Sequence, residues 1–176
     1  MDYTTISFER EGPVGIITLN RPDSLNAINF TMRDEFRHCL KERIDDLDAR
    51  VLVLTGVGRG FSAGLDIGDP EIMSPKDGYT PKSAYENQRL YSDFILFMRQ
   101  TPQPIIGAIN GVAVGAGFSL AMACDVRFEV PKTRLQAAYI NLGFGAADMG
   151  ASSLLPRAIG TGNAARYLLT GDFMGA

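Results

Sequence analysis

Ile105-Ile106-Gly107-Ala108-Ile109 runs into Asn110, then into Gly111-Val112-Ala113-Val114-Gly115-Ala116-Gly117, then into an apolar segment from Phe118 to Cys124. A short apolar run bounded by breakers reads as a buried strand. Thr101-Pro102-Gln103-Pro104 bounds this one in front and the glycine cluster bounds it behind. The segment after the cluster reads as a short apolar helix. The same succession occurs earlier, where Val51-Leu52-Val53-Leu54-Thr55 is followed by the glycine-rich turn Gly56 to Gly64. Twice, then, a buried strand delivers the chain to a glycine-rich turn that leads to a helix. Helix N-termini carry free N–H groups and a partial positive charge. Two such turns facing one another could aim two N–H groups at one oxygen, which is an oxyanion hole.

Outward from these turns the pattern is regular. Ile6 to Leu19 reads as a β-hairpin around Glu11-Gly12-Pro13. Met32, Phe36, Leu40, Ile44 and Leu47 form a helical stripe over Thr31 to Leu47, with Thr31, Asp34 and Glu35 suiting a helix start. Asp69 to Pro81 holds three prolines and no periodicity, so it reads as a surface loop. Ser83 to Arg99 reads as a helix with Leu90, Phe94, Phe97 and Met98 inward. Val126 to Val130 alternates like a strand, and helices are expected from Gly150 through Ile159 and from Asn163 to Leu169. Thr170 to Ala176 reads as a turn, as if the chain were cut short there. Strands alternating with helices, with buried runs, predict a parallel α/β arrangement in one domain over residues 1–176.

Composition narrows the function. The chain has 176 residues, 45% of them hydrophobic, and 19 glycines. It carries 17 Lys and Arg against 20 Asp and Glu, a net charge of −3, which argues against a nucleic-acid partner. No apolar run reaches a membrane span of roughly 18 residues, and Met1 to Thr5 does not open a secretory leader, so a cytoplasmic protein is expected. One histidine, His38, and two distant cysteines, Cys39 and Cys124, fit no zinc spacing and no disulfide framework, so no metal site is expected.

Two short motifs compete for the first glycine turn. Gly60-Phe61-Ser62-Ala63-Gly64 matches the nucleophile elbow G-x-S-x-G, but that order needs a histidine after the serine, and His38 precedes it. Gly58-Arg59-Gly60-Phe61-Ser62-Ala63 matches a dinucleotide fingerprint, but the acid required about 20 residues later would fall in the proline-rich loop. The plain alternative is tight strand-to-helix packing.

In order along the chain stand Arg21-Pro22 with Asn26-Ala27, Gly60 to Asp66, Pro104 with Asn110 to Gly117, Ala121 to Asp125, and Leu155-Pro156-Arg157 with Leu169-Thr170-Gly171. With these, the sequence resembles the crotonase, or enoyl-CoA hydratase/isomerase, superfamily over essentially its whole length. The resemblance implies an α/β spiral of ββα units, with the family's C-terminal helices absent here. It implies an acyl-CoA thioester substrate, no cofactor beyond the coenzyme A of that substrate, and a homotrimer or hexamer. The thioester enolate would be held by the backbone N–H groups of Leu65 and Ala116. Coenzyme A contacts would fall at Ser24, Leu25, Ala27, Ala63, Asp66 and Ile67, for each of which ordinary turn packing is the alternative.

The departures matter as much. Hydratases of this family hold water between two glutamates, and those positions are Ser119 and Tyr139 here. Neither is a carboxylate base at neutral pH. Ser119 reads as pocket lining or as a nucleophile, and Tyr139 as a hydrogen bond to substrate or as packing. Asp148 resembles the aspartate of the family's dienoyl-CoA isomerases; its alternative is an N-cap of the helix near Gly150. With one carboxylate, isomerisation is favoured over simple hydration. The alternatives are a non-catalytic acyl-CoA-binding relative and a serine hydrolase at Ser62.

Overall fold

The computed structural model describes residues 2–73, 78, 80–145 and 148–175. Part of the expected surface loop, residues 74–77 and 79, and the Ala146-Ala147 pair before Asp148 lie outside them. Strands β1 (Ile6–Glu11) and β2 (Val14–Leu19) form the expected antiparallel hairpin, with Ile6 opposite Leu19. Helix α1 (Phe30–Ile44) follows, then β3 (Val51–Gly56) and the short β4 (Gly60–Ser62). Next come α2 (Pro70–Met73), α3 (Pro81–Gln100), β5 (Ile105–Ile109), the short β6 (Val112–Val114) and α4 (Ala116–Ala123). The rest is β7 (Val126–Glu129), β8 (Arg134–Gln136), α5 (Ala151–Ile159), α6 (Thr161–Thr170) and β9 (Phe173–Gly175).

These strands make two sheets. The larger runs β1-β2-β3-β5-β7 and the smaller β4-β6-β8-β9. From β2 onward the larger sheet is parallel, as are β4, β6 and β8. Each long strand from β3 to β7 therefore hands the chain to a short strand of the second sheet, and the step repeats three times. The result is a spiral of ββα turns. Alternation sets the facing: Ile17 and Leu19 of β2, and Leu52 and Leu54 of β3, point into the core. Phe36 of α1 meets Phe94 of α3 edge to face at 5.1 Å, and Phe61 and Phe118 fill the centre. Every residue of α4 is buried, so this helix has no polar face and runs through the interior.

Several expectations change. Both glycine-rich turns contain a strand, β4 and β6, too short to show an alternating pattern. α1 is capped by Asn29, whose side chain accepts from Met32 N–H at 2.9 Å, not by Thr31. α1 also ends at Ile44, so Leu47 is 81% exposed instead of closing the stripe. The cause is Asp46, which accepts the Asp48 and Ala49 N–H groups and pairs with Arg10 and Arg43, turning the chain toward β3. The α3 interface uses Tyr91, Phe94, Ile95 and Met98, with Leu90 and Phe97 only half-buried. The terminal turn instead leads from Gly171 into β9, antiparallel to β8 with Phe173 opposite Gln136.

Candidate active site

The site begins with a buried asparagine. Asn26 is fully buried in the left-handed region at φ +56°, a conformation asparagine tolerates better than most residues. Its Oδ1 accepts from Arg21 N–H at 2.8 Å, and its Nδ2 donates to Val57 O at 3.0 Å and Gly60 O at 2.9 Å. Arg21 reaches across to pair with Asp66 at 2.7 Å and donates to Ala27 O. Main-chain bonds complete the seam: Ala63 N–H to Leu25 O, Ile28 N–H to Gly64 O, and Asp66 N–H to Ile28 O. Leu25, Ala27, Ala63 and Asp66 are thus gathered into one stitched pair of loops, with Ser24 and Ile67 exposed beside them. The Asp66 carboxylate is held by Arg21.

Ser62 lies in the same seam. It is fully buried, donates to Asn26 O at 2.8 Å and accepts from Gly64 N–H at 3.2 Å. His38 is on α1, where Nδ1 meets the Tyr3 hydroxyl at 3.0 Å. Among the described residues no base adjoins Ser62, so the hydrolase reading falls. The dinucleotide fingerprint falls too, because Gly60–Ser62 is a strand where that motif opens a helix.

The two glycine turns meet at Gly64. Its φ is +87°, and a Cβ built on it would lie 2.5 Å from Val114 O and 3.1 Å from Ala116 N. Only a residue without a side chain permits this approach. Leu65 N is the next backbone nitrogen after Gly64, so standard bond lengths put it within about 7 Å of Ala116 N. Neither N–H has a hydrogen-bond partner among the described residues. Ala116 is the first residue of α4, where N–H groups lack intrahelical partners and the dipole is positive.

Two side chains, Tyr139 and Ser119, back the Ala116 peptide group, and the charge of Asp148 acts on Tyr139. Tyr139 sits in a 3-10 turn (Ala138–Leu142) and is 5% exposed. Its hydroxyl donates to Gly115 O at 2.8 Å and is hydrogen-bonded to the hydroxyl of Ser119, which is wholly buried on α4. Burial pushes the Tyr139 phenol well above its ordinary range; the Ser119 bond opposes this and the charge of Asp148 adds to it. Asp148 is half-buried and accepts from Gln88 of α3. Burial raises its carboxyl above the usual aspartate range, against the Gln88 bond and the Met149 N–H. Met149 beside it holds φ +44°, a strained value for a side-chain-bearing residue. Asp148 does not cap α5, whose N-cap is Gly150 with no side-chain cap bond. The N-cap alternative for Asp148 therefore falls, and burial favours its neutral form.

Gln88 gave no signal in the sequence, since it stands 60 positions from its partner. Asn26 was visible only as part of a motif. A surface groove of about 510 Å³ opens at the other end of α4, among Met122, Leu155, Tyr167 and Met174, apart from these amides. Among the described residues no helix is long and apolar enough to cross a membrane, and no group of three or more His, Cys, Asp or Glu could hold a metal ion.

Known proteins resemble this chain in sequence and in fold. The family described as enoyl-CoA hydratase/isomerase matches residues 9–176. A Mycobacterium leprae (strain TN) protein named probable enoyl-CoA hydratase echA12 is 39% identical over 176 residues, covering 99% of this chain and 60% of the relative. The 1,2-epoxyphenylacetyl-CoA isomerase of Escherichia coli (strain K12) is 36% identical over 166 residues, covering 94% and 62%. The crystal structure of an enoyl-CoA hydratase/isomerase from Mycobacterium paratuberculosis superposes with a TM-score of 0.89 at 34% identity, covering 100% of this chain and 69% of that one. The fold is the crotonase fold, and the chain belongs to the enoyl-CoA hydratase/isomerase family. It spans about 60% of the length of the first of these relatives.

Proposed function

We propose that this chain carries the active site of an acyl-CoA enzyme that stabilises a thioester enolate and moves a proton through Asp148. The observation that carries the reading is the approach of Gly64 to Ala116 N, which brings two unpartnered amides together. The thioester oxygen sits between Leu65 N–H and Ala116 N–H. Asp148 takes a proton from the acyl chain, the C–H electron pair moves into the chain, and negative charge collects on that oxygen. The protonated Asp148 returns the proton to a different carbon, so the double bond shifts and nothing is consumed. One such donor lowers the barrier by about 3–4 kcal/mol.

Isomerisation is favoured over hydration because one shuttling carboxylate suffices for it. Ser119 and Tyr139 are bonded to each other and supply no second base. A raised carboxyl suits Asp148, since a base works best with a pKa nearer the working pH. The stitched loops from Ser24 to Ala27 and from Ala63 to Ile67 belong to the same proposal as the coenzyme A contact surface. So does assembly into a trimer or a dimer of trimers, which would cover part of the exposed apolar surface at Phe128, Leu142 and Leu169.

The test is Asp148→Asn, which preserves size and keeps an oxygen for Gln88. Deuterium exchange into the acyl chain of bound acyl-CoA is expected to stop, with affinity nearly intact. Undiminished exchange would refute the role of Asp148. Binding without exchange in the unmodified protein would favour the non-catalytic acyl-CoA-binding alternative.

A further inference from the structure

We infer that Tyr139, backed by Ser119, is a positioning residue that fixes and polarises the peptide group whose N–H is the Ala116 donor. The inference rests on the oxyanion reading above.

The Gly115 carbonyl and the Ala116 N–H are two ends of one planar peptide group. Turning one end turns the other. Tyr139 Oη donates to Gly115 O at 2.8 Å, and Ser119 N–H donates to the same oxygen at 3.0 Å. A phenol has one proton, and Tyr139 spends it there. The bond between Ser119 Oγ and Tyr139 Oη must then be donated by the serine. The hydrogen bonds point one way: Ser119 to Tyr139, Tyr139 to the carbonyl, and, through the amide, from Ala116 N–H to the substrate oxygen. Donation to an amide oxygen draws electrons from its nitrogen and sharpens the N–H as a donor. Aligned chains of this kind strengthen each member by about 10–30% per bond.

The backbone is prepared for this role. Gly115 holds φ +53° and ψ −118°, outside the comfortable range of any residue with a side chain. Its N–H donates to Gln136 O at 3.0 Å. Gln136 ends β8 and Tyr139 stands three residues later, so one short segment grips both polar groups of Gly115. Among the described residues, the bond to Gly115 O is the contact that accounts for a buried hydroxyl pair at this point. An apolar pair would fill the space without the cost of burying polar atoms. The two positions that the family resemblance assigns to glutamates are here converted from handling water to aiming the amide.

The test uses acetoacetyl-CoA, whose enolate absorbs in the near ultraviolet, with butanoyl-CoA as a ligand that cannot report an enolate in the same way. Wild type should lower the apparent pKa of bound acetoacetyl-CoA. Tyr139→Phe should raise it by about one unit, a tenfold loss of enolate preference, while butanoyl-CoA affinity stays within about twofold. Ser119→Ala should move the same way by about threefold. If wild type yields no bound enolate, the oxyanion reading itself fails, and this inference with it. If wild type does and Tyr139→Phe matches it, or weakens both ligands equally, only the positioning role is overturned. Should circular dichroism show Tyr139→Phe unfolded, Ser119→Ala decides alone: an unchanged enolate pKa overturns the inference.

Discussion

Replacing Gly64 by alanine tests the site where the first glycine turn lies against the Ala116 amide. The new Cβ would fall 2.5 Å from Val114 O and 3.1 Å from Ala116 N, and both neighbours are backbone. A carbon and a carbonyl oxygen need more than 3 Å, so the two loops must part by roughly 1 Å. Alanine at a φ of +87° also pays about 1–2 kcal/mol for the left-handed region. With the clash, the destabilisation should reach about 2–4 kcal/mol, read as a lower midpoint in urea. The functional effect should be larger than that loss explains. A misplacement of about 1 Å in a reacting constellation costs on the order of 10²-fold in rate. Gly12→Ala is the control: its φ is +57°, but nothing lies within 4 Å of the added carbon. It carries the backbone penalty without the displacement. Deuterium exchange into bound acyl-CoA, measured under conditions where both variants are folded, should be normal in Gly12→Ala and about a hundredfold slower in Gly64→Ala. Equal rates would show that the meeting of the two turns is packing alone.

Two further outcomes follow from buried carboxylates. Glu35 is buried, which pushes its pKa up, but the Thr4 and Thr5 N–H and hydroxyl groups outweigh this and leave it lowered. It therefore stabilises the fold above the ordinary glutamate range and loses that contribution as pH falls through its folded value. Glu35→Ala should cost about 3 kcal/mol at pH 7 in chemical denaturation, a difference that shrinks below about pH 4. Asp148 has the opposite sign: its folded pKa is raised, so its ionised form costs stability at neutral pH. Asp148→Asn should raise the urea midpoint at pH 7, and the gain should vanish as pH falls through about 4; a lower midpoint at pH 7 would contradict the direction of the shift.

The sequence made the larger sheet readable because each of its strands is a full apolar or alternating run. Val51 to Thr55 and Ile105 to Ile109 could be read from composition and their flanking breakers. β4, β6, β8 and β9 could not, because three or so residues do not make a period and their pairing is set by the spiral. Leu47 misled because a four-four-four-three spacing extends beyond Ile44, while the chain's exit is decided by Asp46 with the nearby Arg43 and with Arg10, which is distant in sequence. At the site, glycine spacing identified both turns, and the family pattern pointed to Asp148. Neither could show that Gln88 lies against Asp148, nor that Ser119 and Tyr139 bond to each other, because those contacts join segments that nothing local connects.

The free N–H groups at Leu65 and Ala116 are main chain, and that has an evolutionary consequence. Almost any codon change leaves a backbone N–H in place; only proline removes one outright. The side chains at 119, 139 and 148 are each one substitution away from different chemistry. If the proposed enolate site is right, a lineage built on this scaffold can exchange its acid and base groups while keeping the two main-chain donors. One relative named a probable enoyl-CoA hydratase and another named a 1,2-epoxyphenylacetyl-CoA isomerase stand at 39% and 36% identity to this one chain.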